Sequence, residues 1–315
     1  FMIMRVSMNE QERAQAILYG LALGDALGWP IEFLNMQKVS IIYGAQGIQE
    51  PPTPARVTDD TQTSLVIAET LIDAADADVD LLMAAMTRRL IDWSNSAEND
   101  RAPGYSVTEA SRTLEAGVSW RESGGQARGN GSSIRVAPIG YVFQHNTKRL
   151  KEVAHATGIA THAHPASDAA AIAAAYLIKL ALEGVPPADW PNAAMDFVRG
   201  ISDDFDAAML KIGQVSQWTD EYAALNHIGG GWVGEEAVAM SIYCAIRYPD
   251  DFVGAVRCAV NIPGDSDSVG CITGGLMGAR LGLSAIPADW IARLEKLDYL
   301  TDVAARLANK KTSLS

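Results

Sequence analysis

A chain of 315 residues, 48% hydrophobic and 20% charged, can bury a large core and is too apolar to be disordered. Its formal net charge of -13 argues against nucleic acid and anionic membranes as partners, because an acidic surface repels both. The charge first means solubility, although acids gathered around a cation would add to it.

Residues 1–10 read as a tail without a signal-peptide core, and Phe1 ahead of Met2 reads as a remnant of expression. An amphipathic helix is expected over residues 12–27. It should end near Gly28, where glycine suits a left-handed C-terminal turn, leaving Glu32 on the following loop. Residues 38–42 give the best alternating stretch in a chain poor in such stretches. Helices follow over 62–75 and 81–93. Residues 166–182 are alanine-rich and mostly uncharged, as in a buried helix gripped closely by neighbours. Further helices are expected over 189–199, 204–215, 235–247, 250–260 and 289–307. In residues 269–283, Gly270, Gly274 and Gly278 fall four apart and form a bare stripe that admits another backbone. Each glycine weakens a helix by roughly 1 kcal/mol, so three in register imply a central packed helix. The pattern describes one compact all-α domain over 11–308, with a short tail at 309–315. Cys244, Cys258 and Cys271 lack CxxC spacing and read as buried or free thiols in a reducing, cytoplasmic compartment. No uncharged apolar run reaches the roughly 18 residues of a membrane span.

Two acidic clusters stand where loops become helices: Thr58-Asp59-Asp60-Thr61 and Gly264-Asp265-Ser266-Asp267-Ser268. Helix capping is one explanation, since Ser, Thr and Asp cap helices and carboxylates complement the first turn. Capping needs one side chain, however, and each cluster offers two carboxylates with hydroxyls ahead of an apolar helix. Buried carboxylates are costly unless paired, and no Lys or Arg adjoins either cluster closely. A hard divalent cation would resolve this, and the oxygens suffice for two. Gly129-Asn130-Gly131 is either an ordinary turn or an anion cradle. His162 and His164 lack further ligands for zinc. Gly229-Gly230-Gly231-Trp232 is either a loop beside a ligand, with Trp232 walling the cleft, or a flexible connection with a core tryptophan.

Five motifs carry a resemblance: GDALGWPIEF, TDDT, GNGSSIRVAPIG at 129–140, THAHP at 161–165 and GDSDSVGCITGGLMGA at 264–279. In this order, and over nearly the whole chain, they resemble the ADP-ribosylglycohydrolase family. The resemblance implies an orthogonal helical bundle with a binuclear site in a central cleft. Thr58, Asp59 and Asp60 would bind one Mg²⁺ or Mn²⁺. Asp265, Asp267 and Ser268 would bind the other, with Asp267 shared. Glu32 matches the glutamate at the reaction centre. Asn130, Gly131, Ser132 and His162 match positions that hold the ADP-ribose phosphates. Ser268 stands where many relatives have threonine, keeping the hydroxyl. In 98–105, Asp100 is the candidate for an aspartate that some arginine-directed relatives carry. The implied activity, with catalytic Glu32, Asp60 and Asp267, is release of ADP-ribose from a modified protein, foremost at arginine. A serine-linked or O-acetyl-ADP-ribose substrate, docking on an ADP-ribosylating toxin, and a structural role without catalysis are the alternatives.

Overall fold

The computed structural model describes residues 8–314; the expectations for Phe1 and most of the leading tail lie outside them. The chain enters its first helix through a reciprocal cap: Asn9 Oδ1 accepts from Glu12 N at 2.9 Å and Glu12 returns a bond to Asn9 N at 3.0 Å. The helices are α1 Glu10–Gly28, α2 Met36–Tyr43, α3 Asp59–Ala74, α4 Val79–Ser94, α5 Tyr105–Glu115, α6 Ala137–Val142, α7 Thr147–Ile159 and α8 Pro165–Leu182. They continue as α9 Trp190–Phe197, α10 Asp203–Val215, α11 Glu221–Ile228, α12 Gly234–Arg247, α13 Phe252–Val260, α14 Ser266–Leu281, α15 Ala288–Ile291 and α16 Leu297–Ser313. Among the described residues only isolated β-bridges occur, so the fold is all-α.

At the centre α1 and α14 run antiparallel with their glycines facing. A side chain on Gly20 would strike Gly274 O, one on Gly24 would strike Gly270 O, and one on Gly278 would strike Ala16 O. Bare backbones in contact exclude water from both helices, and each is buried over most of its circumference. The glycine stripe therefore does what its spacing implies, and its partner is a second stripe on α1.

Gly28 closes this seam and corrects one expectation. It is right-handed (φ -78°), not a left-handed stop, and the chain continues into a 3-10 turn, Trp29–Ile31. What requires glycine is space, since a Cβ there would collide with Asp267 N and Ser266 O. Ser266 Oγ donates to Gly28 O at 2.9 Å, tying the end of α1 to the start of α14.

Three other expectations change. The alternating stretch at 38–42 lies in α2, where Asn35 caps Lys38 N at 2.9 Å; a window that short does not separate the two periods. The helix expected over 289–307 breaks between α15 and α16, because Ala55 exchanges backbone bonds with Arg293 and Glu295 of the intervening segment. The segment read as a C-terminal tail is helical through Ser313. Helices α5, α6, α7 and α11 were not anticipated. Helix α8 is long and apolar enough to cross a bilayer, yet 72% of it is buried, against α6, α7, α12 and α14.

Candidate metal centre and ligand cleft

Three helix ends converge on one cleft of about 280 Å³: the turn after α1, the start of α3 and the start of α14. Glu32, Asp59, Asp60, Asp265, Asp267 and Ser268 line it, with Asn130, Gly131, His162 and Trp232. The two acidic clusters, far apart in sequence, thus face each other. The carboxylates of Glu32, Asp265 and Asp267 offer one oxygen each within 4.8 Å of one another.

Capping accounts for little of this. At α3 the cap is Thr58, whose Oγ1 accepts from Asp60 N at 3.2 Å, leaving Asp59 and Asp60 for other work. At α14 no side chain caps the helix, and Asp265 Oδ2 accepts from Asn130 Nδ2 at 2.8 Å instead. Glu32 Oε2, Asp60 Oδ2, Asp265 Oδ1 and Asp267 Oδ1 are buried with no hydrogen-bond partner among the described residues. No Lys or Arg is among the residues lining the cleft. Buried, unpaired carboxylate oxygens facing one another form a hard-cation site by chemistry, so these residues fit divalent ions.

Without an ion the acids resist ionisation. Burial first, then like charges, raise Glu32 to about 8. Asp59 rises to about 7, chiefly by burial. Asp60 and Asp267 are pushed well up by burial and then by their carboxylate neighbours. Burial also raises Asp265. A cation would reverse all of these shifts, since it favours the charged forms.

Asp25 is a functional residue that the motifs contained without revealing its role. It is fully buried in α1 and accepts from Thr58 N at 2.9 Å, Thr61 N at 3.2 Å and Thr61 Oγ1 at 2.5 Å. It fixes the first turn of α3 and hence aims Asp59 and Asp60. Its signal was an aspartate inside an otherwise apolar helical run.

Other expected residues divide. Thr58 is buried as the cap and does not line the cleft. Ser132 is buried too, its Oγ donating to Ser167 O at 3.1 Å. Asp100 lies outside the cleft, its side chain 60% exposed and beside Arg101 at 3.6 Å. Trp232 is no core residue: it is 46% exposed and stacks on Phe33 at 6.1 Å, both at the cleft. The glycines before it are held, with Gly231 in the left-handed region at φ +79° and its carbonyl accepting from Asn130 Nδ2 at 2.8 Å.

Comparison with known proteins finds relatives over nearly the whole length of this sequence. The ADP-ribosylglycohydrolase family model matches residues 7–314. The chain is 26% identical to "ADP-ribosylarginine hydrolase Tri1" of Serratia proteamaculans, over 94% of this chain and 79% of that one. It is 25% identical to "ADP-ribosyl-[dinitrogen reductase] glycohydrolase" of Rhodospirillum rubrum, covering 90% of each. A solved structure titled "ADP-ribosylglycohydrolase-related protein complex" superposes with TM-score 0.76 at 26% identity, over 96% of this chain and 99% of that one.

Proposed function

The chain belongs to the ADP-ribosylglycohydrolase family and is an enzyme of that class, and from that premise we propose that it is a cytoplasmic two-metal hydrolase that frees ADP-ribose from arginine side chains of a modified protein. The observation that supports it most is the set of four buried carboxylate oxygens without partners in one cleft. The names of the relatives from Serratia and Rhodospirillum support an ADP-ribosylated protein as substrate, and the first of them supports arginine.

Asp60, Asp265, Asp267 and Glu32 would hold the ions, with Asp59 and Ser268 beside them. Bound Mg²⁺ or Mn²⁺ would supply Lewis acidity toward ribose hydroxyls and an acidified water. The chain's own residues do the rest. Trp232 and Phe33 wall the mouth against water. Cleavage breaks the bond between the anomeric carbon and the guanidine nitrogen, and water supplies the hydroxyl. Oxocarbenium character builds at that carbon, and the surrounding carboxylates stabilise it. Glu32 takes the proton from the water or delivers one to the leaving nitrogen.

The test is release of ADP-ribose from an arginine-modified protein with Mg²⁺ or Mn²⁺ and again with EDTA, beside a serine-modified substrate. Metal-dependent release from arginine alone is expected. Release from serine alone would move the linkage. No release from either, with metal bound, would leave docking on an ADP-ribosylating toxin or a structural role as the reading.

A further inference from the structure

His162 lies at the cleft with its ring against the 129–131 loop. A Cβ on Gly131 would sit 2.9 Å from its Cε1, and one on Gly129 3.2 Å from Nε2. The ring is 2% exposed, and among the described residues no hydrogen bond reaches Nε2. Nδ1 faces Thr161 Oγ1 at 2.8 Å. That hydroxyl has a second neighbour, Arg135 Nη2, at 2.7 Å.

Counting protons sets the direction of this chain. A guanidinium only donates, so Arg135 gives a hydrogen bond to Thr161. If Nδ1 carried the proton and gave it to Thr161, the hydroxyl hydrogen would be left with Gly158 O at 3.4 Å, beyond the usual O–H···O range; with Nδ1 bare, that hydrogen has an acceptor at 2.8 Å. A hydroxyl polarised by a cation is also the stronger donor. Nδ1 therefore accepts, and a neutral ring must carry its proton on Nε2. Burial and the Arg135 charge together bring His162 down to about 3, so the ring stays neutral at working pH. Burial lowers Arg135 only to about 10, so it stays charged.

Arg135 otherwise has no evident use. It is 1% exposed, its Nε and Nη1 have no partner, and no carboxylate pairs with it among the described residues. Its Nη2 bonds only neutral oxygens, of Thr157 and Thr161. A buried charge without an ion pair is expensive.

We infer that Arg135, acting through Thr161, is a positioning residue that fixes His162 as a neutral imidazole whose Nε2–H donates into the cleft, toward an anionic oxygen of the ligand. Only the ligand's identity rests on the proposed function; the tautomer does not.

Nitrogen-15 NMR of histidine-labelled, metal-free protein reads the tautomer directly, with the His162 signals assigned by their loss in His162→Gln. The expected spectrum has Nδ1 bare and Nε2 protonated. Thr161→Val should release that preference and weaken ADP-ribose binding by calorimetry about tenfold, the scale of one charge-assisted hydrogen bond. Thr161→Ser, which keeps the hydroxyl, should restore both. A wild-type ring protonated on Nδ1, or a folded Thr161→Val chain with an unchanged His162 spectrum, would overturn the relay. The wild-type spectrum needs no change at Thr161, so misfolding of Thr161→Val leaves the test intact. The expected spectrum with no ADP-ribose binding by wild type would uphold the relay and defeat the functional reading.

Discussion

The floor of the cleft and the wall behind it bury ionisable groups of opposite kind, and among the described residues each lacks an ion-pair partner. On the floor, four carboxylates present oxygens without partners to open space. Behind the wall, Arg135 is sealed from any ligand, and its charge reaches the cleft only through Thr161 and His162. Both arrangements cost stability in the empty protein. The difference lies in what settles the cost. The acids need something that arrives from solution, while the arginine is part of a finished internal chain. A cleft built this way is complementary to a ligand that approaches with cations at one end and anionic oxygens at the other.

The contrast can be broken most sharply at Asp60. Asp60→Asn should lower turnover roughly 10³-fold, the scale of losing one preorganised electrostatic contact, and should abolish tight metal binding by calorimetry. The metal-free variant should be no less stable than wild type, because an amide has no proton to hold against burial and the neighbouring carboxylates. Wild-type turnover in Asp60→Asn would remove the case for an ion site.

A smaller effect should appear in the pH dependence of stability. With Glu32, Asp59 and Asp25 raised to about 8, 7 and 6, the native chain keeps protons that the unfolded chain releases near pH 4. Metal-free protein is therefore most stable on the acid side and loses stability as pH rises toward 8. Thermal midpoints in EDTA should fall by roughly 5 °C or more between pH 5 and pH 8, and excess Mg²⁺ should flatten the slope. An equal slope with and without metal would mean that the acids are not what the ion neutralises.

The smallest effect sharpens the other side. Arg135→Met removes a buried charge that has no carboxylate to strand, so stability in urea should be unchanged or higher by about 1 kcal/mol. A loss of several kcal/mol would show that Arg135 is held by more than the two oxygens it bonds.

Much of this was legible in the residues. The acidic clusters stood at loop-to-helix junctions, and the spacing of Gly270, Gly274 and Gly278 announced a close helix partner. The cleft could be assembled from motifs whose order matched a family. What stayed hidden depended on tertiary context. Asp25 and Arg135 each look like a single polar residue among apolar neighbours, and only packing shows that one aims α3 and the other polarises Thr161. Asp100 fell in the right stretch of sequence, yet it points to solvent and Arg101. Phe33 gave no signal of its own, and its place against Trp232 depends on the bend of 101° between the helical segment ending at Ile31 and α2.

The seam between α1 and α14 also governs when the enzyme can come into being. Glu32, Asp59 and Asp60 are made well before Asp265 and Asp267. The bare side of α1 has no backbone to lie against until α14 has left the ribosome. Contacts between elements so far apart in sequence are entropically slow to close. Assembly of the centre therefore waits for α14, and a polypeptide cut short before Asp265 lacks Asp265, Asp267 and the partner of the central seam together.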